Sequence, residues 1–504
     1  MLPSNSRQTP VKLLQETVKM PMSMTPLIQI RQGVARHPLY RLRAPFDFTL
    51  HAGEHTVLFG KNGAGKTLLA RQIAGACPLL GEARTDNLAS EQHTQGGIRC
   101  LSFRDIYGGN EPAYYQQRWN RADEQVFPTV AEMLERAKPV GEEVSEETLR
   151  RVEETGITAH LDKTINLLSS GELRRLQTAR MLFSRPKVLM IDNPFIGLDR
   201  EARRSFTALL EELAKDLTLI LIVCREADIP PFIRKVVSLS ERTLTHTESR
   251  EEFFQRRENE QKTLTPKPAP LPLPPTASPV PQGENMIEFC DVTVTYGSRH
   301  ILHHLDWTVR CGERWALTGP NGAGKSTLLS LICADNPQGY ACPIHLFGKR
   351  RGRGESIWEI KKHIGFVSPE MFSTYRKPLP AIDIAASGLR DTIGLYVRPS
   401  QQERELCLEW MERFGAGDLA TRDYLSLSDG EQRLVLLVRA FVKQPALLIL
   451  DEPFHGLDDE LTNRARSIID AYMARPDRTL IMVSHYDEEL PSCIDHRLTL
   501  SRQD

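Results

Sequence analysis

Two runs in this 504-residue chain have the residue types needed to wrap a polyphosphate: Gly60-Lys61-Asn62-Gly63-Ala64-Gly65-Lys66-Thr67 and Gly319-Pro320-Asn321-Gly322-Ala323-Gly324-Lys325-Ser326. The glycines let each loop curl so that its N–H groups, those of Asn62 and Asn321 included, converge on an anion. The helix expected to follow points its positive end at the same place. Lys66 and Lys325 are spaced to reach the β- and γ-phosphates, and the hydroxyls of Thr67 and Ser326 to ligate Mg2+. Asp192 and Asp451 each end an apolar run, where a carboxylate holds the Mg2+ shell. A helix cap is the plainer reading of such an aspartate, and the Gly-Leu-Asp that follows in each half (197–199 and 456–458) argues against it.

These groups recur at one spacing. Lys66 and Lys325 are 259 residues apart, as are Ser169 and Ser428, Asp192 and Asp451, and Asp199 and Asp458. A period this long means two copies of one domain rather than a solenoid. The elements that must carry the loops are legible too. Residues 56–59 and 315–318 read as strands feeding the Gly-rich turns. Residues 188–191, 447–450, 219–223 and 480–483 are apolar throughout, as strands buried on both faces are. Strands alternating with helical stretches predict an α/β fold with a mostly parallel sheet in each copy. Residues 1–24 lack a compact apolar segment and read as a disordered tail. The domains are expected at 25–250 and 286–504, joined over 251–285 by a linker whose proline density favours an extended spacer.

Leu168-Ser169-Ser170-Gly171-Glu172 and Leu427-Ser428-Asp429-Gly430-Glu431 open helices, each 103 residues after its loop lysine. Alone, Ser three residues before Glu is only a capping motif. In this position it resembles the signature motif of the ATP-binding-cassette family. The resemblance covers both domains: phosphate loop, signature, Asp-ending strand and Gly-Leu-Asp, in order, twice. It implies two P-loop cassettes, each with a parallel core sheet, an antiparallel subdomain and a helical signature subdomain. It further implies ATP and Mg2+ as ligands, and head-to-tail packing around two nucleotides. Ser169 and Gly171 would then cap the γ-phosphate held by Lys325, and Ser428 and Gly430 the one held by Lys66. Tyr296 stands where an aromatic stacks on adenine. His37 has the matching place in the first copy, where an ordinary exposed histidine is an equal reading. A narrower similarity, carried by residues 336–340, 346–351 and 357–365, is to tandem ATP-binding proteins associated with molybdate transport.

The halves differ where the family's hydrolytic groups belong. Glu452 follows Asp451 and matches the family's water-activating base, and His485 matches its switch histidine. The first copy has Asn193 after Asp192, and Val223-Cys224-Arg225-Glu226 with Arg225 read at the histidine place. An amide orients water but takes no proton from it, so hydrolysis is expected at Lys325 and mainly binding at Lys66. Neither copy supplies the family's loop glutamine; Gln116 and Glu370 are the candidate substitutes.

The bulk properties narrow the partners. A formal net charge of −1 gives no whole-protein attraction to nucleic acid or lipid. No run is apolar enough to span a bilayer, so a membrane role requires a separate permease subunit at the inner face. Nine cysteines without a CxxC pair suit a reducing cytoplasm and no metal site. The basic run Lys349-Arg350-Arg351 with Arg353 reads first as a solvated turn. The rival function is a tandem cassette acting on ribosomes or nucleic acid. The proline-rich linker weighs against it, since an RNA-reaching arm would be charged and helical.

Overall fold

The computed structural model describes residues 25–81, 83–86, 97–103, 127–141, 143–263, 285–296 and 299–502. The tail at 1–24, the proline-rich run and Gln116 lie outside the described residues.

Each half is built on a parallel sheet with its phosphate-loop strand inside. In the first, the order is Ile98–Ser102, Val188–Asp192, Thr218–Val223, Thr56–Gly60 and Lys235–Ser240, all parallel, with Thr243–Ser249 added antiparallel at the edge. In the second it is Ile364–Val367, Leu447–Asp451, Thr479–Val483, Arg314–Thr318 and His496–Thr499. The central strands are apolar without alternation because both faces are covered: every residue of Leu447–Asp451 and Thr479–Val483 is buried. Truncating one such side chain, Ile449→Ala for example, would cost about 2–5 kcal/mol.

A smaller antiparallel sheet flanks each core. It comprises Phe46–Leu50, Ile28–Gly33 and Arg84–Asp86 in the first half, and Arg299–Arg310, Asn285–Tyr296, Ile344–Leu346 and Lys349–Arg350 in the second. On the other side sit the helices that lead to the signature segments: Val130–Glu135, Glu146–Glu154 and Ser170–Leu182, then Ala381–Ala386, Gln401–Phe414 and Asp429–Phe441. Fully buried Trp410, Phe414, Phe441 and Tyr472 pack ring against ring at 5.2–6.4 Å and fasten the helices Gln401–Phe414, Asp429–Phe441 and Asp459–Met473 to one another.

Two local expectations change. The first cassette does not end at 250: the helix Arg250–Thr263 folds back on it, with Phe253 fully buried against Phe59 and Arg257 paired to Glu226 at 2.6 Å. Nor is the basic run wholly solvated. Lys349, Arg350 and Arg353 are exposed, but Arg351 is 3 % exposed, paired with Glu355 at 2.9 Å and stacked on Tyr340.

Candidate functional site

Most of the longer helices here begin under a Ser, Thr or Asp side chain. The helices Lys66–Ile73 and Lys325–Ile332 do not: their N-caps are Gly65 and Gly324, at φ 95° and 92°, with no side-chain bond. Their first N–H groups are left for an outside anion, which is the fit a triphosphate requires. At Gly60 and Gly319 a Cβ would strike the carbonyls of Leu239 and Leu500, so only glycine lets the loop leave its strand this closely. Lys66 Nζ donates to Gly60 O at 2.7 Å and Lys61 O at 2.9 Å. Lys325 Nζ does the same to Gly319 O at 2.7 Å and Pro320 O at 3.0 Å. Burial pulls both ammonium groups below the usual lysine range. The carboxylates opposing that are Asp192, Asp458 and Glu431 around Lys66, and Glu452, Asp451 and Asp199 around Lys325. Thr67 and Ser326 lie in the first turn of the same helices, and the strands that end in Asp192 and Asp451 stand next but one to the phosphate-loop strands in their sheets. A hydroxyl with a carboxylate and phosphate oxygens is a hard-donor set suited to Mg2+.

The cassettes meet head to tail. Asp458 Oδ2 accepts from Asn62 N at 3.0 Å, and Gly456 O from Asn62 Nδ2 at 2.9 Å. A Cβ at Gly430 would collide with the Asn62 carboxamide, and Gly63 faces the Glu431 carboxylate. The first phosphate loop therefore lies against the second signature segment. At the other seam Asp199 Oδ2 accepts from Asn321 N at 3.3 Å, while Gly171 faces Ala202 of its own cassette. Ser169 and Ser428 each close a full capping box, with their N–H donating to Glu172 and Glu431 at 2.7 Å.

Beyond Asp451 the second site holds three acid–base groups together. Glu452 Oε1 is 2.7 Å from His485 Nε2, and Glu452 Oε2 is 2.8 Å from His455 Nδ1. Burial alone would raise the Glu452 carboxyl; the two imidazoles outweigh it and hold the group well below the usual carboxylate range. A carboxylate placed between two imidazoles is positioned to orient a water and accept its proton. His455 went unremarked in the sequence, although its i+3 spacing from Glu452 was a signal that it could share the turn.

The first site has the same backbone with other side chains. Asn193 N bonds to Ile222 O as Glu452 N bonds to Val483 O, at 3.0 Å each. The Asn193 amide donates to Asp192 Oδ1 at 3.0 Å. The sheet also corrects the position given to Arg225. Asp192 is in register with Ile222 and Asp451 with Val483, so Cys224 stands where His485 stands and Arg225 matches Tyr486. The segment between Gly-Leu-Asp and this strand is longer in the second copy, and equal spacing misses that. The Cys224 thiol is buried and pushed up to about 11, so it is neutral and supplies no base. Arg225 does not turn toward Lys66; its guanidinium crosses to the second cassette.

The remaining candidates are placed as follows. The Tyr296 hydroxyl accepts from Asn336 Nδ2 at 3.0 Å, and Asn336 also caps the turn Pro337–Tyr340. His37 caps the turn Pro38–Tyr40 through Leu39 N and packs at a tilt against Tyr40, the behaviour of an exposed structural histidine. Glu370 lies in the helix Pro369–Thr374, whose cap Ser368 borders a recess shared with Asp451 and Glu452. All nine cysteines are free, and no helix among the described residues is long and apolar enough to cross a membrane.

Comparison with known proteins agrees with this geometry. The model of the ABC transporter family matches residues 44–196 and 302–455. The chain is 37 % identical over 490 residues to the ABC transporter ATP-binding protein ModF of Escherichia coli, covering 94 % of this chain and 96 % of that protein. It is 29 % identical over 477 residues to an uncharacterised ABC transporter ATP-binding protein of Schizosaccharomyces pombe, covering 92 % and 95 %. Among solved structures it is similar in fold to an archaeal ribosome recycling factor, aABCE1, in complex with the stalk protein aP1. There the TM-score is 0.51 at 17 % identity, over 93 % of this chain and 87 % of that one.

Proposed function

Because the chain belongs to the ABC transporter family and is an ATPase of that type, we propose that its second site hydrolyses ATP with Mg2+ while its first mainly binds it. The observation that carries this is the Glu452 carboxylate held between His455 and His485 beside Asp451, against Asn193 and the neutral thiol of Cys224. Lys325 and the amides of its loop would hold the phosphates, with Ser326 and Asp451 toward Mg2+, which supplies charge neutralisation at the phosphates when bound. Tyr296 is the adenine-stacking residue of this reading. Ser428 and Gly430 would close over the first nucleotide, and Ser169 and Gly171 over the second.

The role we propose is that of a molybdate-transport-related ATP-binding protein acting with a membrane permease. The extent of similarity to ModF supports it, together with the run Asn336–Tyr340, whose Asn336 holds Tyr296. Glu452→Gln should remove nearly all MgATP turnover and leave ATP binding intact, because the phosphate loop is untouched. Lys325→Ala should lose both. Parental turnover in Glu452→Gln would refute the assignment. Affinity purification from native cells should bring down a membrane permease; ribosomes in its place would move the protein to the rival class.

A further inference from the structure

Arg225, the residue after the switch position of the first cassette, is spent on the second. Its side chain is 18 % exposed. Nε donates to Leu457 O at 2.9 Å, Nη2 to Phe454 O at 2.8 Å and Thr462 Oγ1 at 3.2 Å, and Nη1 to Glu489 Oε1 at 2.6 Å. Phe454 and Leu457 lie in the turn that leaves Glu452. Glu489 leads the other way: its Oε2 accepts from Ser484 Oγ at 2.7 Å, and Ser484 immediately precedes His485. One guanidinium of the first cassette thus ties both backbone segments that bring Glu452 and His485 together.

The reciprocal seam uses the corresponding positions differently. Tyr486, the counterpart of Arg225, donates through its hydroxyl to Leu198 O at 3.2 Å. Arg203 and Asp228, the counterparts of Thr462 and Glu489, pair within the first cassette at 2.8 Å. Arg203 also bonds to the Tyr486 hydroxyl across that seam, and the side chain that Tyr486 brings to the turn after Asn193 is a phenol rather than a guanidinium. The stronger clasp belongs to the half that carries Glu452.

We propose that Arg225 is a positioning residue for hydrolysis at the second site. It acts through the Phe454–Leu457 turn on Glu452, and through Glu489 and Ser484 on His485. The second site is then competent only while the first cassette is seated against it. Arginine suits the task because its planar fork reaches several acceptors at once, which a lysine ammonium on a single flexible stem cannot reproduce. The inference rests on the reading of Glu452 given above.

The test is steady-state MgATP hydrolysis by the full chain carrying Arg225→Met, Glu489→Gln, both together, or Arg225→Lys. A misplaced base–histidine pair should lower kcat about 10- to 100-fold with KM little changed, since Lys325 and its loop are intact. The double variant should be no slower than the worse single one, because both act on one path. Arg225→Lys should recover only part of the loss. If Arg225→Met does not fold, Glu489→Gln alone decides, because it keeps size and shape while removing the charge. Parental kcat in that variant, a change in KM alone, or losses that multiply would overturn the proposal. Glu452→Gln in the same assay separates the two readings. If it turns over normally, the site assignment falls; if it is dead while Arg225→Met and Glu489→Gln keep the parental kcat, only the clasp falls.

Discussion

Asn193 and Glu452 occupy one backbone conformation, at φ 50° and 49°. Asparagine tolerates this left-handed region; a glutamate held there costs on the order of 1 kcal/mol or more, and such strain gathers at functional sites. The second cassette keeps the costlier residue and braces it with two histidines, while the first has relaxed to the cheaper one. Two substitutions therefore separate the sites at the residue scale. In a Glu452→Gln background, Asn193→Glu alone should restore little hydrolysis, because Cys224 still stands at the histidine position. Adding Cys224→His should raise the rate about 100-fold or more, the scale of general base catalysis. An equal gain from Asn193→Glu alone would show that the thiol was never limiting. The substitution at 193 was legible in the sequence. The one at 224 was misread by one residue, because the position is fixed by the register of the sheet and not by any residue type nearby in the chain.

The elements place these residues through their ends. Asp199 and Asp458 each divide their oxygens: one caps its own helix, at Ala202 N (2.8 Å) and Leu461 N (2.9 Å), and the other meets the opposite phosphate loop. A helix start is thereby also a cassette contact, which explains why Gly-Leu-Asp recurs so regularly. The head of the strand Thr56–Gly60 carries another dependence. His55 is 7 % exposed, its Nδ1 accepts from Leu219 N at 3.3 Å, and burial followed by the nearby Arg234 lowers its pKa to about 4. The folded state thus prefers the neutral ring. Its stabilisation is complete above the unfolded value near 6.5 and is lost as pH falls toward 4, amounting to at most about 3 kcal/mol. The thermal midpoint of the first cassette should drop across that window, and His55→Phe should flatten the drop. An unchanged slope in that variant would remove His55 as the cause.

At the scale of the whole molecule, the helix Arg250–Thr263 belongs to the first cassette. The proline-rich run 264–284 joins the two cassettes along the sequence. Limited proteolysis should cut within 264–284 and spare 250–263. The two fragments should remain together on a sizing column through Arg225, Asn62 and Asp458. Early cleavage inside 250–263, or fragments that part at once, would contradict this packing.

The sequence by itself determined the duplicated architecture, both phosphate loops, the signature helices and the inequality between Glu452 and Asn193. Those features are local: a Gly-rich turn, a cap or a buried strand leaves its mark within a few neighbouring residues, and the repeat doubled every mark. Only the tertiary structure decided which residue replaces His485, that His455 braces Glu452, and that Arg225 serves the other cassette. These depend on strand register, on a turn that folds back, and on a seam between residues more than 200 positions apart. Hydrogen-bond geometry there follows from how two cores pack, and no spacing along the chain encodes it.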